Sequence, residues 1–470
     1  MNLTRATLTL LASLSLSLIS VAAEPAPPAP SPARPPILGD FAAELRTPDG
    51  HFDVRANIDA LKAIHANTYF YLIWHKETDW DDLPAFADAA ARENINVWVY
   101  LIPWSETPAV KKSWGYSEPY RTDYVRWAEE VAKLSLKHPN VVGYVIDDFY
   151  TNSTQADRFT VPYTRRMIDA GREINPKLKF YPLVYFQQPW AEFMQRFGTL
   201  VDGVVAAYPK SRTQVGNALA YLNGDAHGAT AIVDYPRTQP SRPGDKGSIY
   251  ADLRVDDPDD ATISFYWDDT DQSNNRGYHQ AFVKVDGRTV WQADTAGETA
   301  DRVVDVNLAR FVRGRQNVRV ELGVLEERGV SKYPVTVRLD DIRLTGFDTD
   351  NQMGSQRLWS RKATGHFTVD LLPSRQEPAQ VKLPMILMPA GEGEQYEKRY
   401  PDAGTPRNVA AKVRICLDLV RDDRVEGVIT YCLPKDGPTF EAVGAEFRRA
   451  AEALRDSRDL ATTKDPRRAD

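Results

Sequence analysis

The sequence predicts an α/β fold, a (β/α)8 TIM barrel interrupted by an all-β, jelly-roll-like sandwich. Three observations predict it. Runs of β-branched and aromatic residues alternate with helix-spaced segments across residues 37–228. The same rhythm returns over residues 371–460. Between the two, residues 229–370 hold short alternating runs separated by turn signals, with no good amphipathic helix. Strand–helix alternation with short connections implies a parallel sheet, whereas the middle pattern implies an antiparallel sandwich.

The chain begins with Arg5, an apolar run from Leu8 to Val21 and the small residues Ala22 and Ala23. A basic start, a short apolar stretch and a small-residue cleavage site describe a secretory signal over residues 1–23, and hence a secreted or periplasmic protein. The run is short for a membrane span. Residues 24–36 are proline-rich and read as a stiff linker.

Eight barrel strands follow from the pattern: Ile37–Leu45, Thr68–Trp74, Asn96–Trp104, the run VVGYVIDD from Val141, Lys179–Phe186, Val201–Tyr208, Val381–Met388 and Gly427–Leu433. Helical spacing fills the gaps. The segment Trp80–Asn94 has Asp79 as its expected N-cap. Tyr120–Lys137 is stopped by His138-Pro139, and Pro162–Ile174 carries proline in its first turn. Further helices are expected at Trp190–Phe197, Asn408–Val420 and Phe440–Leu454, with a polar tail at 461–470. The barrel part amounts to about 280 residues, near the roughly 250 usual for this fold. A doubly wound dinucleotide fold would open with a glycine-rich turn, and the first turn here is Thr47-Pro48-Asp49-Gly50. In the insert, Asp286-Gly287 between two alternating runs marks a hairpin.

Acidic residues number 65 against 58 basic ones, and the basic residues are dispersed. That balance argues against nucleic acid as a partner. Apart from the N-terminal run, no segment is apolar enough to insert in a membrane. The two cysteines, Cys416 and Cys432, allow a disulfide after export or two buried thiols, and both readings stand.

In a barrel of this kind the chemistry gathers where the strands end. The fourth strand ends in Asp147 and Asp148 and is followed by Tyr150. Neighbouring strand ends offer Glu44, Trp74, His75, Trp104, Glu106, Tyr185, Gln187 and Tyr208, and the loop after the seventh strand offers Glu392 and Glu394. Such a set, rich in carboxylates and large rings, suits cleavage of a glycosidic bond. One carboxylic acid protonates the leaving oxygen, while a carboxylate attacks the anomeric carbon or activates water. The expected catalytic residues are Asp148 or Asp147 with Glu392 or Glu394. Trp74, His75, Trp104, Glu106, Tyr150, Tyr185, Gln187 and Tyr208 are the expected substrate contacts.

Five of the ten tryptophans, Trp74, Trp80, Trp104, Trp114 and Trp190, fall on the loop side and are candidates to stack on sugar rings. Adjacent strand residues face opposite ways, so one aspartate is expected in the mouth, with Asp148 preferred as nearer the loop. Of seven histidines only His75 sits at a strand end, which argues against a zinc site. The reaction requires no cofactor. The insert's acidic pairs, Asp256-Asp257, Asp259-Asp260, Asp268-Asp269 with Asp271, and Asp340-Asp341, are candidates for a structural calcium. Its Tyr266, Trp267, Tyr278 and Trp291 are candidates for a sugar-binding face.

The barrel pattern and the run GYVIDDFY at the fourth strand resemble the glycoside hydrolase superfamily of (β/α)8 barrels, where many families keep a catalytic acid at that strand. The insert, ending in VTVRLDDIRLTGF, resembles the galactose-binding-like sandwiches that serve as carbohydrate-binding modules. The chain lacks the Asn-Glu pair of the largest clan at this strand, and the D-G-x-D-x-D-x-E run of chitinase-like barrels. The resemblance implies a secreted enzyme acting on a poly- or oligosaccharide. Two other functions fit the same residues. One is a carbohydrate-binding protein on a barrel scaffold. The other is a polysaccharide lyase using a Tyr or Lys base.

Overall fold

Eight parallel strands close on themselves in the order β1-β19-β18-β6-β5-β4-β3-β2. They are β1 (Ile37–Phe41), β2 (Thr68–Ile73), β3 (Asn96–Leu101), β4 (Val141–Ile146), β5 (Lys179–Tyr185) and β6 (Val204–Ala207), completed by β18 (Met385–Met388) and β19 (Gly427–Tyr431). This computed structural model describes residues 35–107, 118–155, 158–223, 228–236, 241–269, 275–296, 302–329, 333–349, 357–372, 381–391 and 404–463. The α/β barrel and the antiparallel sheets between its sixth and seventh strands are the expected fold class.

Strand alternation divides the barrel into an inner and an outer layer. Phe41, Phe70, Leu72, Trp98, Tyr100, Val145, Tyr181, Leu183, Ile386 and Ile429 fill the interior. Leu38, Tyr69, Tyr71, Val97, Val99, Tyr144 and Ile146 face outward and pack with the surrounding helices. Gly143 makes room for the largest interior ring: a Cβ there would stand 2.5 Å from Trp98 Cζ3 and 2.7 Å from the Lys179 carbonyl oxygen. At the same point the β3–β4 register slips by one residue, from Val97 opposite Val141 to Trp98 opposite Gly143.

The insert comprises β7 (Ala229–Tyr235), β8 (Lys246–Val255), β9 (Thr262–Asp269), β10 (His279–Val285), β11 (Arg288–Asp294), β12 (Arg302–Asn307), β13 (Asn317–Glu326), β14 (Val335–Thr345), β15 (Phe347–Asp348), β16 (Ser360–Ala363) and β17 (Thr368–Leu372). They form two sheets, β11-β10-β13-β8-β15 with β16 also on β8, and β12-β9-β14-β7-β17. Ile249, Leu253, Phe265, Trp267, Val283, Val320 and Leu339 lie in the core between them.

One sheet of the sandwich is joined to the barrel. The Val303 N–H donates to the Gln187 carbonyl at 3.1 Å, and the Val303 side chain packs on the barrel's outer core. Asn217, on the helix Arg212–Asn223, donates to Ser264 Oγ at 2.7 Å and Asp305 Oδ1 at 3.2 Å. The Arg343 guanidinium lies 4.5 Å from the Tyr221 ring centre and pairs with Asp341 at 2.6 Å.

Cys416 and Cys432 are not joined by a disulfide. Burial pushes the Cys416 thiol well above its ordinary value. No helix among the described residues is long and apolar enough to cross a membrane.

Candidate active site at the barrel mouth

β4 stops at Ile146, so Asp147 and Asp148 leave the strand together. Asp147 continues the inward alternation set by Val145. Asp148 has φ 45°, a left-handed conformation that non-glycine residues seldom adopt and that collects at functional sites. That turn brings the second aspartate back toward the mouth. Its N–H donates to Asp147 Oδ1 at 2.9 Å. The Tyr185 hydroxyl, from the end of β5, donates to Asp148 Oδ1 at 2.5 Å. Sequence alternation predicted one aspartate in the mouth; the end of the strand between Ile146 and Asp147 and the left-handed turn put both there.

Asp147 is the most perturbed carboxyl of the site. Burial pushes it up, the neighbouring charges of Asp148 and Glu106 push it further, and it reaches about 8 even though Tyr100 offers a hydrogen bond to its charged form. The rings around it are tyrosines. Tyr185 stacks on Tyr208 with centroids 5.9 Å apart, Tyr208 meets Tyr431 edge-on at 5.3 Å, and Phe41 lies 4.2 Å from Tyr100. Burial and the nearby carboxylates push the hydroxyls of Tyr100, Tyr185 and Tyr208 well above their usual range, so all three stay protonated donors.

A second group of residues frames the β1 and β2 ends. Arg46 binds Glu44 at 2.6 Å and Asp79 at 2.7 Å. Glu44 Oε1 also lies 2.5 Å from His75 Nδ1. Burial would raise the Glu44 carboxyl, but the hydrogen bonds from His75 and Arg46 outweigh it and hold it at about 2. The imidazole of His75 lies against the Trp74 ring, 4.9 Å between centroids. Asp79 was expected to cap the helix that follows. Instead it is the first residue of Asp79–Arg92, and its carboxylate takes the N–H groups of Trp74 at 3.0 Å and Lys76 at 2.9 Å. Behind the β1 and β19 ends, Lys435 pairs with Asp40 at 2.6 Å and donates to the carbonyls of Ala42 and Leu433. The pair is wholly buried, and it ties these two loops together.

Of the remaining expected contacts, Glu106 is among the charges that raise Asp147, and the others disperse. Trp104 and Glu106 belong to one 3-10 turn after β3, and the Arg158 guanidinium covers the Trp104 ring at 4.1 Å. Tyr150 is not in the mouth: it is 1% exposed and packs on Phe193 and Phe197. The turn at Asp148 starts the helix Phe149–Gln155 at once, which sends the Tyr150 ring into the helix layer. Trp190 is likewise core, against Phe186 and Phe193, and Trp80 packs on Tyr120 and Trp127. Gln187 is exposed and meets the sandwich through its carbonyl. Glu392, Glu394, Trp114 and Asp271 lie outside the described residues.

In the sandwich, Trp267 is buried against Trp291, Tyr278 packs on Tyr333, and Tyr266 lines the seam with the barrel, so the four rings share no face. Among its acidic pairs, Asp257 accepts backbone N–H groups. Asp259 and Asp341 bind Arg313 and Arg343, and Asp340 binds Arg338 and Thr230. Among the described residues no cluster of three or more His, Cys, Asp or Glu could hold a metal ion.

Sequence reasoning missed Tyr100 and Asn152 as parts of the site. The spacing of Asn152, one helical turn after Asp148, was the available signal.

No family model matches the chain, and no curated protein does. Among solved structures it is similar to the GH5_18 protein of Streptomyces cattleya in complex with GlcNAc, at 15% identity and a TM-score of 0.28, covering 40% of this chain and 56% of that one. A glucosidase from Croceicoccus marinus is 10% identical with a TM-score of 0.30, covering 66% and 96%. An exo-beta-1,4-mannosidase from an Opitutaceae bacterium, strain TAV5, is 14% identical with a TM-score of 0.28, covering 37% and 38%. The chain thus spans little more than half the length of the Streptomyces protein. At these values the likenesses bear on neither substrate nor reaction.

Proposed function

We propose that the protein hydrolyses a glycosidic bond of a poly- or oligosaccharide at the open end of the barrel, after export from the cytoplasm. The observation that carries this reading is Asp147, a carboxyl raised to about 8 by burial and by two neighbouring carboxylates. Such a group is a carboxylic acid at neutral pH and can protonate the oxygen of a leaving sugar. Asp148, which accepts the Tyr185 hydroxyl, is the candidate for the second carboxyl of the pair. The tyrosines and Trp74 offer ring faces and hydroxyl donors to a sugar.

The test is release of reducing ends from a panel of neutral and acidic polysaccharides. Asp147→Asn should lower turnover by about 10²–10⁴-fold, the usual contribution of a general acid. Because the acid form is the active one, wild-type turnover should fall as pH rises through about 8. Product that absorbs in the near ultraviolet would indicate a lyase instead. No product from any substrate, with sugar binding intact in both proteins, would leave a binding protein.

A further inference from the structure

Trp104, a candidate to stack on a sugar ring, is covered by a cation instead, and both partners are anchored on one residue. β3 ends at Leu101, whose carbonyl accepts the Asp147 N–H at 2.9 Å. The turn Trp104–Glu106 therefore stands at the open end of the barrel, beside the aspartates. Asn152, 2% exposed, fixes that turn. Its amide accepts the Ser105 N–H at 3.0 Å and donates to Ser105 Oγ and to the Asp148 carbonyl, each at 3.1 Å. The Asn152 carbonyl in turn accepts the Arg158 N–H at 3.2 Å. Phe159 follows, buried against Tyr124 and Phe149, and its carbonyl accepts Ser153 Oγ at 2.9 Å. The roots of Trp104 and Arg158 are thereby set, and the guanidinium carbon lies 4.1 Å from the indole centroid.

Arg158 is exposed, and among the described residues no carboxylate pairs with it. Other cations at this end of the barrel are neutralised, Arg46 by Glu44 and Asp79, and Lys435 by Asp40. A guanidinium over an aromatic ring is held by charge and keeps its N–H donors for another partner. Fixed before binding, it loses little freedom on taking a ligand. Its fork of donors matches the paired oxygens of an oxyanion.

We propose that Arg158, seated on Trp104, is a binding site for an oxyanionic group of the substrate, a sugar carboxylate or a sugar sulfate, and that the saccharide cleaved is an acidic one. The inference rests on the saccharide reading above. Asp147 and Asp148 repel such a group while Arg158 attracts it. The charged group is therefore received at the rim, on the β3–β4 side, and not between the aspartates.

The experiment is calorimetric titration of Asp147→Asn, so that binding is read apart from turnover, and of the same protein carrying Arg158→Ala or Arg158→Lys. The probes are oligomers of galacturonate, mannuronate and glucuronate, each against its neutral methyl ester, and sulfated galactan oligomers against their desulfated forms. At least one acidic probe should bind about tenfold or more tighter than its neutral counterpart at low salt. That difference should shrink with added salt and vanish in Arg158→Ala. Arg158→Lys keeps the charge without the planar fork and should restore only part of it. The uronate and sulfate arms show which group is read. No acidic probe favoured over its counterpart, or a preference that survives in Arg158→Ala, would overturn the proposal. So would an equal loss of affinity for acidic and neutral probes in Arg158→Ala, since a merely structural residue behaves that way. Release of reducing ends by wild type on the same probes separates the two readings. An acidic preference that depends on Arg158, without product, keeps the anion site while hydrolysis fails. Product from neutral saccharides alone keeps hydrolysis while the anion site fails.

Discussion

Asp147 and Asp148 are neighbours in sequence with different surroundings, and the difference is made by single dihedral and hydrogen-bond choices. Asp148 turns through φ 45° and finds a phenol; Asp147 is enclosed among like charges and tyrosines. The raised carboxyl has a consequence for stability. Below the ordinary carboxylate value of 3.8, Asp147 is protonated in both folded and unfolded chains. As pH rises, the unfolded chain releases its proton first, so stability falls until the folded group has also titrated at about 8. Asp147→Asn removes this loss. Thermal scans from pH 4 to 9 at fixed ionic strength should show the melting temperature of wild type falling relative to the variant across that window and levelling above it. Parallel curves would mean that the folded carboxyl titrates normally.

At the scale of elements, β4 is defined by what it leaves out. Gly143 sits where Trp98 fills the barrel, and the contacts a Cβ would make include the Lys179 carbonyl, which is strand backbone and cannot yield. Gly143→Ala should therefore destabilise by about 1–3 kcal/mol or more through overpacking, measured by chemical denaturation. A change under about 0.5 kcal/mol would show that Trp98 moves aside freely. The strands themselves were legible because period-two and buried runs read directly as β-structure. Boundaries slipped where capping and closure decide: β18 begins at Met385 rather than Val381, and β6 at Val204 rather than Val201. The fate of Tyr150 and Trp190 was not legible. Whether a ring beyond a strand end faces the mouth or the helix layer depends on the first dihedral after the strand, which hydrophobic pattern does not encode. Asp147, Asp148 and Glu106 were legible as residue types at strand ends; Tyr100 meets Asp147 through the pairing of β3 with β4, which local pattern does not encode.

At the scale of the whole molecule, the sandwich is seated on the barrel by groups that need each other. Asp305 is buried in the seam and pushed up by that burial, with Asn217, Lys210 and Gln214 countering it. Asn217 serves both sides, since its amide reaches Ser264 and Asp305 on the sandwich from a barrel helix. Val303 adds an apolar contact and a backbone hydrogen bond beside Gln187, two residues from the tyrosine that holds Asp148. The described residues from Pro36 onward form one compact unit, so the barrel and sandwich should melt in a single calorimetric transition. Asn217→Ala takes a partner from a buried carboxyl and should lower stability by about 1–3 kcal/mol. The melting of barrel and sandwich should drop together, because the strain is shared across the seam. Two separated transitions in the wild type would show that the seam carries little coupling and that the sandwich is held chiefly by its two covalent connections. A single transition that splits only in Asn217→Ala would locate the coupling in that amide.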